Sequence, residues 1–145
     1  MKNAIKRGIA LALSLLTLFA FFVVPISRVS AATLYNNTVS ATMISTVSSA
    51  GVLQSSLNVI GIKGKTTHIY VSLYVEKRVL GIFWTRVDIG TPNNVWTDST
   101  SSYTYGEIFS TQLNSTGTYR ITATFTVTGT GGTNDTIPYE NTVTY

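Results

Sequence analysis

From residue 119 to 128 the chain alternates apolar and polar at every step. Tyr119, Ile121, Ala123, Phe125 and Val127 fall on one face, and Arg120, Thr122, Thr124, Thr126 and Thr128 on the other. A side-chain period of two is that of a strand with one face in a core and the other in water. Residues 66–78 repeat the pattern. Ile69, Val71, Leu73 and Val75 point one way, and His68, Tyr70, Ser72, Tyr74 and Glu76 the other. Less regular runs predict strands over 42–47, 52–62, 82–88, 103–113 and 137–145. No helical period is found after residue 32. The abundant threonine fits this reading, because a β-branched side chain packs well on a pleated, half-exposed surface.

The gaps between these runs carry turn chemistry. Lys63-Gly64-Lys65, Val79-Leu80-Gly81, Gly90-Thr91-Pro92-Asn93-Asn94, Asn114-Ser115-Thr116-Gly117 and the glycine-rich stretch 129–135 all fall between strands. Glycine and asparagine adopt positive φ at low cost. About seven strands at this spacing predict an all-β fold, an antiparallel two-sheet sandwich. Leu113, Gly117 and Tyr119 sharpen it. Their spacing ahead of Ile121, Ala123 and Phe125 resembles the tyrosine corner of immunoglobulin-like and fibronectin type III sandwiches. There a tyrosine opening the sixth strand turns its hydroxyl back to upstream backbone. The fold expected is therefore an immunoglobulin-like sandwich, with Leu113 capping the core beneath Tyr119.

The first 31 residues read differently. Lys2, Lys6 and Arg7 precede an apolar run from Gly8 to Val24 that only Ser14 and Thr17 interrupt, and Pro25 ends it. Val29-Ser30-Ala31-Ala32 then offers the small residues a signal peptidase accepts. The pattern predicts a signal helix over residues 1–31, cleaved after Ala31 or Ala32, and one sandwich domain over 32–145. A retained membrane anchor is the alternative, since the run is intermediate in length between a signal core and a span. No second long apolar run and no sorting tail follow. The product expected is a free, secreted, extracellular domain that meets a membrane only through an uncleaved signal segment.

Charge supports that division. The whole chain carries +4 with a sequence pI near 9.5. Four of the ten basic residues (Lys2, Lys6, Arg7 and Arg28) lie before residue 32, where there is no acid. The remaining six face six acids, so the domain is formally neutral. A nucleic-acid partner is not expected of a neutral domain whose basic residues are interleaved with acids.

Catalytic signatures are sparse. The chain has no cysteine, hence no thiolate nucleophile, no disulfide and no Cys-type metal site. His68 is the single histidine and stands on the wet face of its strand, with no Gly-x-Ser-x-Gly elbow to complete a triad. The six acids lie in six separate segments. Asp88 with Glu107 would be the pair to test for hydrolysis. Asp135 with Glu140, or Asp98, lacks the spaced oxygen pattern of a calcium loop. No enzyme, no cofactor and no metal are expected.

The aromatics are the remaining chemistry. Tyr70 and Tyr74 share the wet face of one strand, and Trp84 lies in the next hairpin, with Trp96, Tyr103 and Tyr105 beyond. Rings in a row stack on sugars or grip a protein, or they pack across strands. The function expected is a secreted, non-enzymatic binding module for an extracellular glycan or protein, through Tyr70, Tyr74 and Trp84. A structural protein that self-assembles through strand edges is the alternative.

Several of these features together resemble a family of small secreted Gram-positive (Firmicutes) proteins, each with one Ser/Thr-rich β domain of unknown function. They are the 66–78 strand after a glycine turn, Trp84 in Gly81-Ile82-Phe83-Trp84, Gly117-Thr118-Tyr119-Arg120, and the late turn at Gly131-Gly132. The resemblance implies export and this fold, and carries no site residues with it.

Overall fold

The computed structural model describes residues 34–145, which form one compact unit. The signal helix expected over residues 1–31 and the expected cleavage residues Ala31 and Ala32 lie outside the described residues. The described chain is all β apart from a short 3-10 turn at Pro92–Asn94. Its eight strands are β1 (Thr38–Val47), β2 (Val52–Gly61), β3 (Thr66–Val79), β4 (Phe83–Arg86), β5 (Trp96–Thr100), β6 (Thr104–Gln112), β7 (Thr118–Gly129) and β8 (Asp135–Thr144). All pairings are antiparallel. One sheet runs β1-β2-β6. The other runs β4-β3-β7-β8, with β5 beside β4 on the same edge of β3.

The eighth strand is β5, in a segment for which the sequence pattern predicts no strand. Its pattern is intermediate and exposed by turns with no fully buried residue, so it carries no strong alternation to read. What fixes it is pairing to the long strand β3, from Ile69↔Thr100 to Leu73↔Trp96.

The core lies between the two sheets. Leu53, Leu57 and Val59 of β2 face Ile69, Val71, Leu73 and Val75 of β3 and Ile121, Phe125 and Val127 of β7, all essentially without exposure. Each such side chain stabilises the fold by about 1.5–3 kcal/mol relative to water. Met43, Tyr105, Phe109 and Ile137 complete the core from the outer strands. One polar pair sits among them: Ser55 is fully buried, and its hydroxyl bonds that of Ser45 at 2.9 Å.

The edge between β1 and β8 is tied by side chains rather than by a ladder. The Tyr139 hydroxyl donates to the carbonyl of Ala41, and the Ser45 N–H donates to Asn141 Oδ1 at 3.1 Å. Backbone groups that would otherwise recruit another strand are thereby occupied.

The two ends of the sandwich are built differently. At one end a buried carboxylate and a buried asparagine together tie three segments. Asp135 accepts from the N–H groups of Asn36 and Asn37 and from the Thr38 hydroxyl, each at 2.8 Å. Asn37, fully buried, passes the connection on: its Oδ1 receives Gly131 N–H at 3.0 Å, and its carbonyl receives Thr66 Oγ1 at 2.5 Å. Gly131 fits because a Cβ there would stand 2.1 Å from the Asn36 carbonyl oxygen. Burial of a carboxylate is tolerable only with such hydrogen bonding.

At the other end stands Tyr119. Its ring is buried and its hydroxyl donates to the Ser115 carbonyl at 2.5 Å, with Leu113 buried beside it in the core. The Lys77 ammonium closes this corner, donating to Ser115 Oγ at 2.7 Å and lying 5.7 Å from the Tyr119 ring centre. Gly117 takes φ 149°, and a Cβ on it would meet Lys77 Cε at 2.7 Å.

Also at this end, β3 and β4 run on past the core as a hairpin. Ile82 N–H bonds the Val79 carbonyl at 3.2 Å, and Leu80 and Gly81 between them take φ 52° and 70°. Positive φ at both central positions is the type I′ arrangement, which Asn-Gly fills without strain. A leucine in the left-handed region costs about 1–2 kcal/mol.

Candidate functional site

Strand register dictates which side chains share the outer face of the larger sheet, since directly paired residues point the same way. Glu76 of β3 pairs with Arg86 of β4 and with Arg120 of β7, and Arg78 pairs with Trp84. Tyr74 precedes Glu76 by one pleat on that face, and Glu140 of β8 pairs with Thr122 beside it. Two aromatic residues, three arginines and two glutamates therefore converge where the β3–β4 hairpin leaves the sheet.

They interleave. The Arg86 guanidinium lies over the Tyr74 ring, 3.6 Å from its centre. The Arg120 guanidinium lies over Trp84 at 4.4 Å, with Arg78 over the same ring at 5.9 Å. Attraction between a cation and the ring quadrupole contributes about 0.5–2 kcal/mol per pair, more where water is excluded. Glu76 Oε2 accepts from both Nε and NH2 of Arg120, at 2.9 and 2.6 Å, and Glu140 lies 3.8 Å from its NH1. The hydrogen bond to Glu76 pushes the already high pKa of Arg120 further up. Among the described residues, Arg78 and Arg86 form no ion pair. The site is a ledge: rings underneath, guanidinium groups on top, and two cations with donors to spare.

Of the three residues expected to act together, the structure joins two. Tyr74 and Trp84 are both half-buried in the ledge. Tyr70 stands apart, 40 % exposed, two pleats and about 13 Å along β3 at the strand rise. Between it and the ledge the outer face carries Ser72 and Thr124. The rings do not make one flat platform, because the faces of Tyr74 and Trp84 are covered by arginine. Periodicity placed Tyr74 on this face. The arginines were missed as its partners, since only register brings Arg120 to β3, across 44 residues of chain.

Trp96 and Tyr105 are turned inward. Trp96 packs on Phe109, ring centres 5.6 Å apart, and Tyr105 is 7 % exposed with its hydroxyl donating to Asp98 at 3.0 Å. Burial first, then this bond, push the Tyr105 phenol above its ordinary 10.0.

The acids are largely occupied. Glu76 holds Arg120, Asp98 holds Tyr105, Asp88 accepts Gly90 N–H at 2.9 Å, and Asp135 is saturated by its three donors. Glu107 is exposed and borders an open hollow with Ser56, Asn58, Gly106 and Ile108. Among the described residues no group of three or more His, Asp or Glu is placed to hold a metal ion.

Comparison with protein families, with curated proteins and with solved structures gave no match to the chain.

Proposed function

We propose that this chain is a secreted, non-enzymatic binding module that uses the Tyr74–Trp84 ledge to hold an extracellular glycan carrying acidic groups. The observation that supports it is the pair of guanidinium groups, Arg78 and Arg86, laid on aromatic faces without a carboxylate of their own. A guanidinium offers a planar fork of donors that matches a carboxylate or phosphate bidentately. Stacking on a ring holds the fork in place beforehand, so less freedom is lost when a ligand arrives. An acidic sugar brings the anionic group for the fork, while Trp84 and Tyr74 hold the guanidinium groups in place from beneath.

In this reading the fold is immunoglobulin-like in the fibronectin type III manner. β1, β2 and β6 take the places of strands A, B and E, and β3, β7 and β8 those of C, F and G, with Tyr119 opening the strand in the place of F. Residues 1–31 are an export signal cleaved after Ala31 or Ala32, as in the small Gram-positive secreted proteins the sequence resembles.

The test is a glycan array probed with the full chain, followed by titration of the strongest ligand. Acidic glycans are expected to bind over their neutral counterparts, with Arg86→Ala and Trp84→Ala each weakening binding about tenfold or more, within the range of interface anchors. Equal binding to acidic and neutral glycans, or no effect of either substitution, refutes the ledge.

A further inference from the structure

The β3–β4 hairpin tip lies beyond the ledge and is apolar throughout. Val79 is 40 % exposed, Leu80 83 %, Ile82 72 % and Phe83 61 %. Along the inward-facing positions of β3, exposure rises from 0 % at Val75 to 40 % at Val79, so the tip stands clear of the core. Five consecutive apolar or glycine residues in water are not what a hairpin turn calls for. Leu80 sharpens the anomaly: it holds a left-handed φ of 52° in a turn that Asn or Asp suits better. Strain and exposure coincide at a residue that neither the core nor the turn requires.

The residues behind the tip are ordered. Arg78 and Trp84 form a cross-strand pair at the first level, and Arg86 follows. Lys77 lies between, and no acid occurs from Lys77 to Val87. Arg78 is two residues from Leu80, about 7 Å along the strand. Amphipathic elements at membrane interfaces bury their apolar face about 5–10 Å deep. Tryptophan favours the headgroup level, and arginine meets anionic headgroups just above it.

We infer that the 79–83 tip inserts into an anionic lipid surface, with Arg78 and Arg86 seated among its headgroups. Two features favour a bilayer over a protein cleft. The apolar side chains leave the tip on both of its faces, so they offer no single flat patch, and a bilayer accommodates a convex tip without a matching pocket. The basic residues follow the tip on both strands, matching a uniformly anionic plane. The inference shares Arg78 and Arg86 with the ledge but rests on the apolar 79–83 tip, which glycan binding does not use.

The cysteine-free chain allows a clean test. In the chain from Ala32 onward, whose residues 34–145 form one compact unit, Ile82→Cys is labelled with an environment-sensitive fluorophore, and Thr130→Cys, at the opposite end of the domain, serves as the control. Vesicles of phosphatidylcholine mixed with phosphatidylglycerol are the probe. The expected result is an emission rise of about twofold or more and a blue shift at position 82 only, weakened by salt and by pure phosphatidylcholine. In the labelled chain Leu80→Asp lowers the vesicle affinity read at position 82 about tenfold. Leu80→Asn, which suits the turn, lowers it while leaving the fold intact. An unchanged signal at 82, or equal changes at 82 and 130, overturns the inference. A lipid-free dimer in sedimentation that Leu80→Asp abolishes, with no vesicle signal, overturns it in favour of a second copy as the occupant.

Discussion

Tyr105 and Tyr103 are two residues apart by sequence and opposite in environment. Tyr103 is 37 % exposed, whereas Tyr105 is 7 % exposed and bonded to Asp98. The buried phenol binds its proton more tightly in the folded chain than in the unfolded one, because burial and the Asp98 bond both resist ionisation. Its contribution to stability is therefore complete below pH ~10 and is lost as pH rises past that value, by up to about 1.4 kcal/mol per pH unit. Urea unfolding from neutral to alkaline pH tests this. The wild-type chain is expected to lose stability more steeply above pH ~10 than Tyr105→Phe. Parallel curves would remove Tyr105 as the cause. The neighbouring case, Tyr119, was readable in advance. Its place after Asn114-Ser115-Thr116-Gly117 and at the head of a strict alternation marks both its strand and its inward direction. No comparable signal distinguished Tyr105 from Tyr103, because the strand around them alternates weakly.

At the scale of elements, β3 and β7 were legible because both faces of each obey the period of two over most of their length. The short strand β5 was not legible, since long-range pairing rather than local pattern creates it. The clasp at Asp135 was equally hidden: its partners Asn36, Asn37 and Thr38 lie nearly a hundred residues away. Asp135→Ala leaves two backbone N–H groups and a hydroxyl without their acceptor. It is expected to cost about 2–4 kcal/mol, seen as a lower urea midpoint at unchanged slope. A change within 0.5 kcal/mol, the usual range for surface sites, would show that water replaces the carboxylate. The β3–β4 hairpin makes the opposite prediction. Leu80→Asn relieves the left-handed leucine and is expected to raise stability by about 1 kcal/mol. A lower melting temperature would mean that Leu80 has packing partners in solution. Stabilising changes commonly carry a functional cost, and at this hairpin the cost falls on an apolar, exposed tip.

For the described domain as a whole, polarity along its length is the organising feature. One end is closed by a buried polar clasp that ties the chain's entry into the domain to the β2–β3 and β7–β8 turns. The other end carries the corner at Tyr119, the arginine-covered ledge and the apolar hairpin. The +4 of the chain belongs to residues before 32, and the six basic residues beyond them are balanced by six acids. Balance in number conceals separation in space. Arg78 and Arg86 are left without acid partners at the ledge, while Asp135 and Asp98 are absorbed by neutral donors elsewhere. Net charge alone therefore said little about recognition, and sheet register said more. The two tryptophans report on this directly, since Trp84 lies in the ledge and Trp96 packs against Phe109 at the core margin. Their indole N–H signals can be followed by NMR while the full chain is titrated with an acidic oligosaccharide. The Trp84 signal is expected to shift saturably while that of Trp96 stays in place. A Trp84 signal that does not move, with or without movement of Trp96, would rule out the ledge as the binding site.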